Sequence, residues 1–164
     1  MSTAYLLTGG NLGNRSAYLQ EARKLVQQYC GKIVHFSAIY ETAAWGVTDQ
    51  PAFYNQVLVV ETTLTPKHLM QQLLEIEEKM GRKRILKMGP RIIDLDILLM
   101  DDLIISSDVL TLPHPALPGR RFALLPLSEI APALIHPALH KTISQLLAEC
   151  TDALDVQKKY LPAN

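Results

Sequence analysis

The run RIIDLDILLM, residues 91–100, has the apolar content of a strand that enters the interior of a sheet, yet it carries Asp94 and Asp96. Side chains alternate along a strand, so Ile92, Asp94, Asp96 and Leu98 share one face while Ile93, Leu95, Ile97 and Leu99 share the other. Both carboxylates then point the same way, roughly 6–7 Å apart. At an effective dielectric near 20, two unit charges at that distance repel by about 2–3 kcal/mol. A fold accommodates such a strand by exposing the pair at a strand end, by protonating one acid, or by holding a divalent cation between them.

The surrounding chain reads as strands and helices in a definite order. TAYLLT (3–8) is a short strand running into GGNLGNR, where Asn14 can cap a helix. Tyr18, Ala22, Leu25, Val26 and Tyr29 then recur at helical spacing, predicting a helix over about 15–30 that Gly31 ends. IVHFSAIY (33–40) and QVLVVETT (56–63) are rich in β-branched and aromatic residues, which predicts two strands around the long connection ETAAWGVTDQPAFYN. Thr65 and Pro66 open a second helix with Leu69, Leu73, Ile76 and Met80 as its apolar stripe, and Gly81 closes it. With the Asp-bearing strand the order is βαββαβ, an α+β, ferredoxin-like antiparallel sheet with helices on one face. A short hairpin (LIISSDVLTL), a Pro-rich loop, a helix around 121–130 and a C-terminal helix near 142–158 are expected to follow.

A chain of 164 residues fits one domain, expected over 1–164. A hydrophobic fraction of 48% with formal net charge +0 argues against a dedicated nucleic-acid or membrane binder, so any charge-driven function must be local. Cys30 and Cys150 lack metal-ligand spacing and suggest no disulfide framework. No secretory leader or membrane-length apolar stretch is evident, so a cytoplasmic location is expected.

Local charge is indeed concentrated. From Lys79 to Arg91 the chain carries Lys79, Arg82, Lys83, Arg84, Lys87 and Arg91 without an acid, immediately before Asp94 and Asp96. Such a run can be a solvated loop or a weak nucleic-acid patch. Beside paired carboxylates it fits a polyphosphate, because magnesium takes oxygen ligands together with substrate phosphates and arginine donates in pairs to phosphate oxygens. Glu77 can be a helix-surface acid paired with a nearby cation. His114, in LPHPALPGRRF, is structural in the ordinary case, but near Thr111, Arg120 and Arg121 it could bind phosphate. Trp45, Phe53 and Phe122 either pack in the core or stack on an aromatic ligand whose polar edge Asn55 reads. TGGNLGNR lacks the features of a P-loop or dinucleotide fingerprint and reads as a strand-to-helix turn.

As a set, GGNLGNR, ETAAWGVTDQPAFYN, GRKRILKMGPRIIDLDILL and LPHPALPGRRFALLPLSEIAP resemble the 6-hydroxymethyl-7,8-dihydropterin pyrophosphokinases of folate biosynthesis. The resemblance runs from about residue 4 to residue 150, without the fused folate-pathway domains of some relatives. It implies transfer of the terminal pyrophosphate of ATP to the pterin hydroxymethyl oxygen, leaving AMP. By position, Asp94 and Asp96 would hold two Mg²⁺ ions, and Arg82 and Arg91 would stabilise the moving group. Arg84 would belong to a mobile lid, and Glu77, Ile97, Thr111, His114 and Arg120 would line the nucleotide side. Trp45, Phe53 and Phe122 would enclose the pterin, with Asn55 and the backbone of Thr42, Ala43 and Ala44 reading its edge.

Ala43, Ala44, Leu74, Met88 and Val109 depart from residues familiar in some members, which bears on nucleotide affinity and lid packing rather than on the reaction class. Competing readings are a metal-dependent pyrophosphohydrolase and a non-catalytic RNA-binding module. The latter is disfavoured because Tyr5 is the single aromatic of the first strand. The expected partners are small molecules, and the expected state is a monomer.

Overall fold

The computed structural model describes residues 1–43, 50–82 and 90–159. Strand β1 (Ser2–Gly10) leads into helix α1 (Arg15–Tyr29), followed by β2 (Lys32–Phe36), β3 (Ile39–Thr42), β4 (Phe53–Thr62), α2 (Pro66–Lys79) and β5 (Asp94–Met100). A small hairpin of β6 (Ile105–Ser106) and β7 (Thr111–Leu112), helices α3 (Arg121–Ile130) and α4 (Ile143–Glu149), and strand β8 (Val156–Lys159) follow. The expected caps are in place. Asn14 accepts from the Ala17 N–H at 3.2 Å and Thr65 from the His68 N–H at 3.2 Å, each satisfying a donor at the start of its helix.

The main sheet is antiparallel in the order β5-β1-β4-β3-β8, with β2 also paired to β4. β5 beside β1, and β1 beside β4, is the ferredoxin-like arrangement expected from the element order. Ala4, Leu6, Leu58 and Val60 bury one face against α1 and α2, where Leu19, Ala22, Val26, Leu69, Leu73 and Ile76 meet them. Each leucine, isoleucine and valine among them contributes about 1.5–3 kcal/mol by leaving water. Leu7 and Val57, on the alternate face, pack against Ala123, Leu124 and Leu127 of α3 and Ile143 and Leu146 of α4. The expectation of helices on one face therefore holds for the βαββαβ core alone. The two later helices cover the opposite face.

Four local expectations are corrected. Residues 33–40 form two strands, because the backbone turns out of the ladder at Ser37 and Ala38. Side chains serve the interrupted groups: Gln56 donates to Ser37 O at 2.7 Å, the Val57 N–H donates to Ser37 Oγ at 3.0 Å, and Glu129 accepts from the Ala38 N–H at 3.1 Å. The C-terminal helix ends at Glu149 rather than near 158. Arg121 donates to the carbonyls of Cys150 and Asp152, the Asp152 carboxylate accepts from the Arg121 and Leu154 N–H groups, and the chain then pairs as β8 with the edge of β3.

Strict alternation along β5 fails at Leu99. The register steps from Leu6↔Ile97 to Tyr5↔Leu99, a bulge that leaves Leu98 and Leu99 in the α3/α4 core and returns Met100 to the other. On α1 the buried positions are Leu19, Ala22 and Val26, whereas Tyr29 is exposed beneath the Lys79 ammonium, 3.8 Å from its ring centroid.

Candidate active site

Three strand ends meet at one edge of the sheet. β1 finishes at Gly10 where β4 begins and β5 begins, so that Gly9 lies opposite both Asn55 and Asp94, and Leu7 lies opposite Asp96. Both aspartates are partly buried and turn toward this junction, consistent with the shared-face argument. Two clefts adjoin them. The first has Thr42, Ala43, Phe53, Asn55 and Phe122 in its walls; the second has Glu77, Ile97, Thr111 and His114. Asp94 and Asp96 line both.

The basic segment supplies the counter-charge. Arg82 Nη1 lies 2.7 Å from Asp94 Oδ1 and 3.1 Å from Glu77 Oε1. Its position follows from the end of α2, where Gly81 adopts φ +87° and the Arg82 N–H donates to Glu77 O at 3.0 Å. Arg82 Nε is buried and has no hydrogen-bond partner among the described residues. Glu77 is not the surface acid that its helix position allowed. It is 3% exposed, and its Oε2 accepts the Leu95 N–H at 2.7 Å, tying α2 to the outer edge of β5.

Arg91 Nη1 stands 4.0 Å from Asp94 Oδ2, with the guanidinium 5.0 Å from the Phe53 ring centroid. Arg120, expected on the nucleotide side, lies in the wall of the first cleft with its guanidinium 5.5 Å from the Phe122 ring.

Burial, with Asp94 and Glu77 alongside, pushes the Asp96 carboxyl up to about 7, against the opposing pull of Arg120 and Arg82. Burial also lowers the Arg91 pKa, as do Arg82 and Arg120, while Asp94 and Asp96 act the other way. His114 is held below its ordinary value by burial and by Arg120. Its Nδ1 accepts the Ala116 N–H at 3.1 Å, so the neutral ring presents Nε2–H as a donor.

The first cleft combines apolar walls with specific polar groups. Phe53 and Phe122 contribute rings. Thr42 Oγ1 is buried with no hydrogen-bond partner among the described residues. Asn55 Nδ2 donates to Thr8 O at 3.3 Å, in space left by Gly9, where a Cβ would stand 2.1 Å from that nitrogen. In the second cleft, Leu74 and Val109 are apolar and exposed beside Thr111, so two of the departures noted in the sequence gather at one place. Ala44, Trp45, Arg84 and Met88 lie outside the described residues.

Asn11 was not anticipated as a site residue. It is 1% exposed, exchanges hydrogen bonds with Arg91, and donates to Gln50 and Pro51. The signal was present in GGN, where two glycines precede an amide side chain, but it also suits an ordinary turn.

Among the described residues no group of three or more His, Cys, Asp or Glu is arranged to hold a metal by protein ligands alone. Two carboxylates as hard oxygen donors suit magnesium, which completes its shell with water and substrate phosphates.

Fold and site together define a class: a ferredoxin-like α+β domain with an acid pair shared by two clefts and flanked by guanidinium groups. The chain belongs to the 7,8-dihydro-6-hydroxymethylpterin-pyrophosphokinase family, whose model matches residues 5–132. It is 40% identical to the 2-amino-4-hydroxy-6-hydroxymethyldihydropteridine pyrophosphokinase of Aquifex aeolicus, covering 92% of this chain and 94% of that one. The protein of the same name from Bacillus subtilis is 40% identical over 77% of each chain. The chain spans only 20% of the folic acid synthesis protein of Schizosaccharomyces pombe, to which it is 39% identical. A crystal structure of Plasmodium falciparum HPPK-DHPS with pteroate matches 90% of this chain and 42% of that one with a TM-score of 0.74 at 20% identity, a likeness of fold. The enzyme class expected from the sequence motifs, the pyrophosphokinase of folate synthesis, is therefore the class to which this chain belongs.

Proposed function

We propose that this chain transfers the terminal pyrophosphate of ATP to the hydroxymethyl oxygen of 6-hydroxymethyl-7,8-dihydropterin, giving the pterin pyrophosphate and AMP. The observation that carries this reading is the position of Asp94 and Asp96, which line both clefts at their junction. A pterin in the first cleft and a nucleotide in the second would bring acceptor and triphosphate together there. The catalytic demand is then orientation and charge neutralisation rather than a covalent protein nucleophile.

The donor set suits two Mg²⁺ ions held by Asp94 and Asp96, which when bound neutralise and orient the triphosphate. Arg82 and Arg91 supply guanidinium donors to the transferring group, and both already face Asp94. Glu77 holds Arg82 and the β5 backbone in place. Thr111 and the neutral His114 offer donors on the nucleotide side, beside Ile97. Arg120 bridges toward the pterin side. The aromatic walls of Phe53 and Phe122 stack the pterin, while Thr42 and Asn55 meet its polar edge.

The same proposal takes residues 1–164 as one domain, acting as a cytoplasmic monomer on small molecules. The formal net charge of +0 supports this over nucleic-acid binding. No helix among the described residues is long and apolar enough to cross a membrane. A product assay with ATP, Mg²⁺ and the hydroxymethyl pterin tests the reaction. Equimolar AMP and pterin pyrophosphate is the expected result; ATP breakdown indifferent to the pterin would favour hydrolysis instead.

A further inference from the structure

Asn11 stands where β1 runs out, between the segments that lead into its two neighbouring strands. On one side its N–H donates to Arg91 O at 2.9 Å and its Oδ1 accepts the Arg91 N–H at 2.9 Å, closing a two-bond ring with the residue that precedes β5 by three positions. On the other side its Nδ2 donates to Gln50 Oε1 at 2.8 Å and to Pro51 O at 3.0 Å, just before β4. Every polar hydrogen of this nearly inaccessible side chain is therefore used to connect other segments.

The approach is close enough to exclude a side chain at the preceding residue, because a Cβ on Gly10 would stand 2.2 Å from Ile92 O. The GGN turn is thus built around contact with the Arg91–Ile92 backbone, beyond what a strand-to-helix connection requires.

We propose that Asn11 is a positioning residue for pyrophosphoryl transfer, its carboxamide fixing the Arg91 backbone relative to the segment that carries the Phe53 wall. The inference rests on the function proposed above, in which Arg91 meets the moving group and Phe53 the pterin. Two substrates held in separate clefts react only when their frames are in register, and Asn11 joins those frames. Arg91 reaches over the Phe53 ring at the same junction, so a shift of its backbone moves the guanidinium relative to the acceptor. Displacements of about 1 Å in such an arrangement can cost about 100-fold in rate.

The test uses the full chain, with steady-state kinetics for ATP and the hydroxymethyl pterin and a melting curve for each variant. Asn11→Ala is expected to lower kcat by about 100-fold while leaving both KM values within about threefold, measured well below its melting temperature. Asn11→Asp keeps the acceptor for the Arg91 N–H but turns an oxygen toward Pro51 O, and it should lose kcat in the same manner. Gln50→Ala, which leaves the Pro51 contact intact, should lose only about threefold.

A folded Asn11→Ala protein with kcat within about threefold of wild type overturns the proposal, as does a loss confined to the pterin KM. If Asn11→Ala does not fold, Asn11→Asp decides by the same criterion. A wild-type protein that makes no AMP from ATP and the pterin overturns the functional reading and this inference with it, whereas an active wild type beside an unimpaired Asn11 variant overturns this inference alone.

Discussion

Asp96 and Glu129 are two acids treated in opposite ways. Glu129, toward the end of α3, lies nearer to water yet is well supplied: it accepts the Tyr40 hydroxyl at 2.6 Å and the Ala38 N–H at 3.1 Å, with Lys158 Nζ 3.8 Å away. These contacts bind α3 to β3 and β8. Asp96 is more enclosed, with Asp94 and Glu77 as like charges nearby, and neither a hydrogen bond nor an ion pair reaches it from the described residues. A buried or half-buried acid without donors is a cost to folding. The contrast separates a carboxylate that completes the fold from one that, in the proposed function, is completed by a ligand.

The largest expected effect breaks the comparison from the Asp96 side. If Asp96 holds magnesium as proposed, Asp96→Ala should lower kcat/KM by about a thousandfold or more. The isosteric Asp96→Asn should melt no lower than wild type in metal-free buffer, because a like charge beside Asp94 is removed. Near-normal turnover of Asp96→Ala, or a marked fall in the apo melting temperature of Asp96→Asn, would place Asp96 with Glu129 as a structural acid.

Glu129→Gln is the reciprocal change. It keeps an acceptor oxygen but weakens the charge-assisted bonds to Tyr40 and Ala38, so a loss of about 1–2 kcal/mol in unfolding free energy is expected. Activity at temperatures well below melting should stay within about twofold. Urea denaturation beside a kinetic assay measures both. A large drop in turnover without loss of stability would show that the β3 brace reaches the substrate sites.

The difference between these acids was only partly legible in the sequence. Asp94 and Asp96 stood out because strand periodicity forces neighbouring like charges onto one face, and that argument is local. The cap residues and the βαββαβ order were legible for the same reason. Glu129 carried no such mark, because its partners Ala38 and Tyr40 are about ninety residues away and become neighbours only when α3 packs on β3. The break at Ser37, the bulge at Leu98 and the strand β8 likewise depend on tertiary hydrogen bonds that outweigh local propensity. Asn11 falls between the two cases: its turn was evident, but its contacts with Arg91 and Pro51 required the folded register of three strands.

His136 extends the closed class of polar groups to a titratable ring, and gives the smallest effect. The ring is 4% exposed, and its Nδ1 accepts the N–H groups of Ala138 at 3.2 Å and Leu139 at 3.1 Å, which folds the chain toward α4. Protonation at Nδ1 would replace that acceptor with a donor facing two donors. Burial, assisted by the neighbouring His140, holds the His136 pKa below the ordinary 6.5. The unfolded chain therefore binds a proton more readily than the folded one. The stabilising contribution is present above the unfolded pKa and is lost as pH falls through that value toward the folded one. As pH falls from 7.5 to 5.5 the midpoint of urea unfolding of the wild type should decline relative to that of His136→Asn, whose Oδ1 can accept the same N–H groups without titrating; Asp96, whose raised pKa adds stability over the same range, acts alike in both proteins. An equal slope in wild type and variant would assign the pH dependence to other groups, leaving His136 as packing alone.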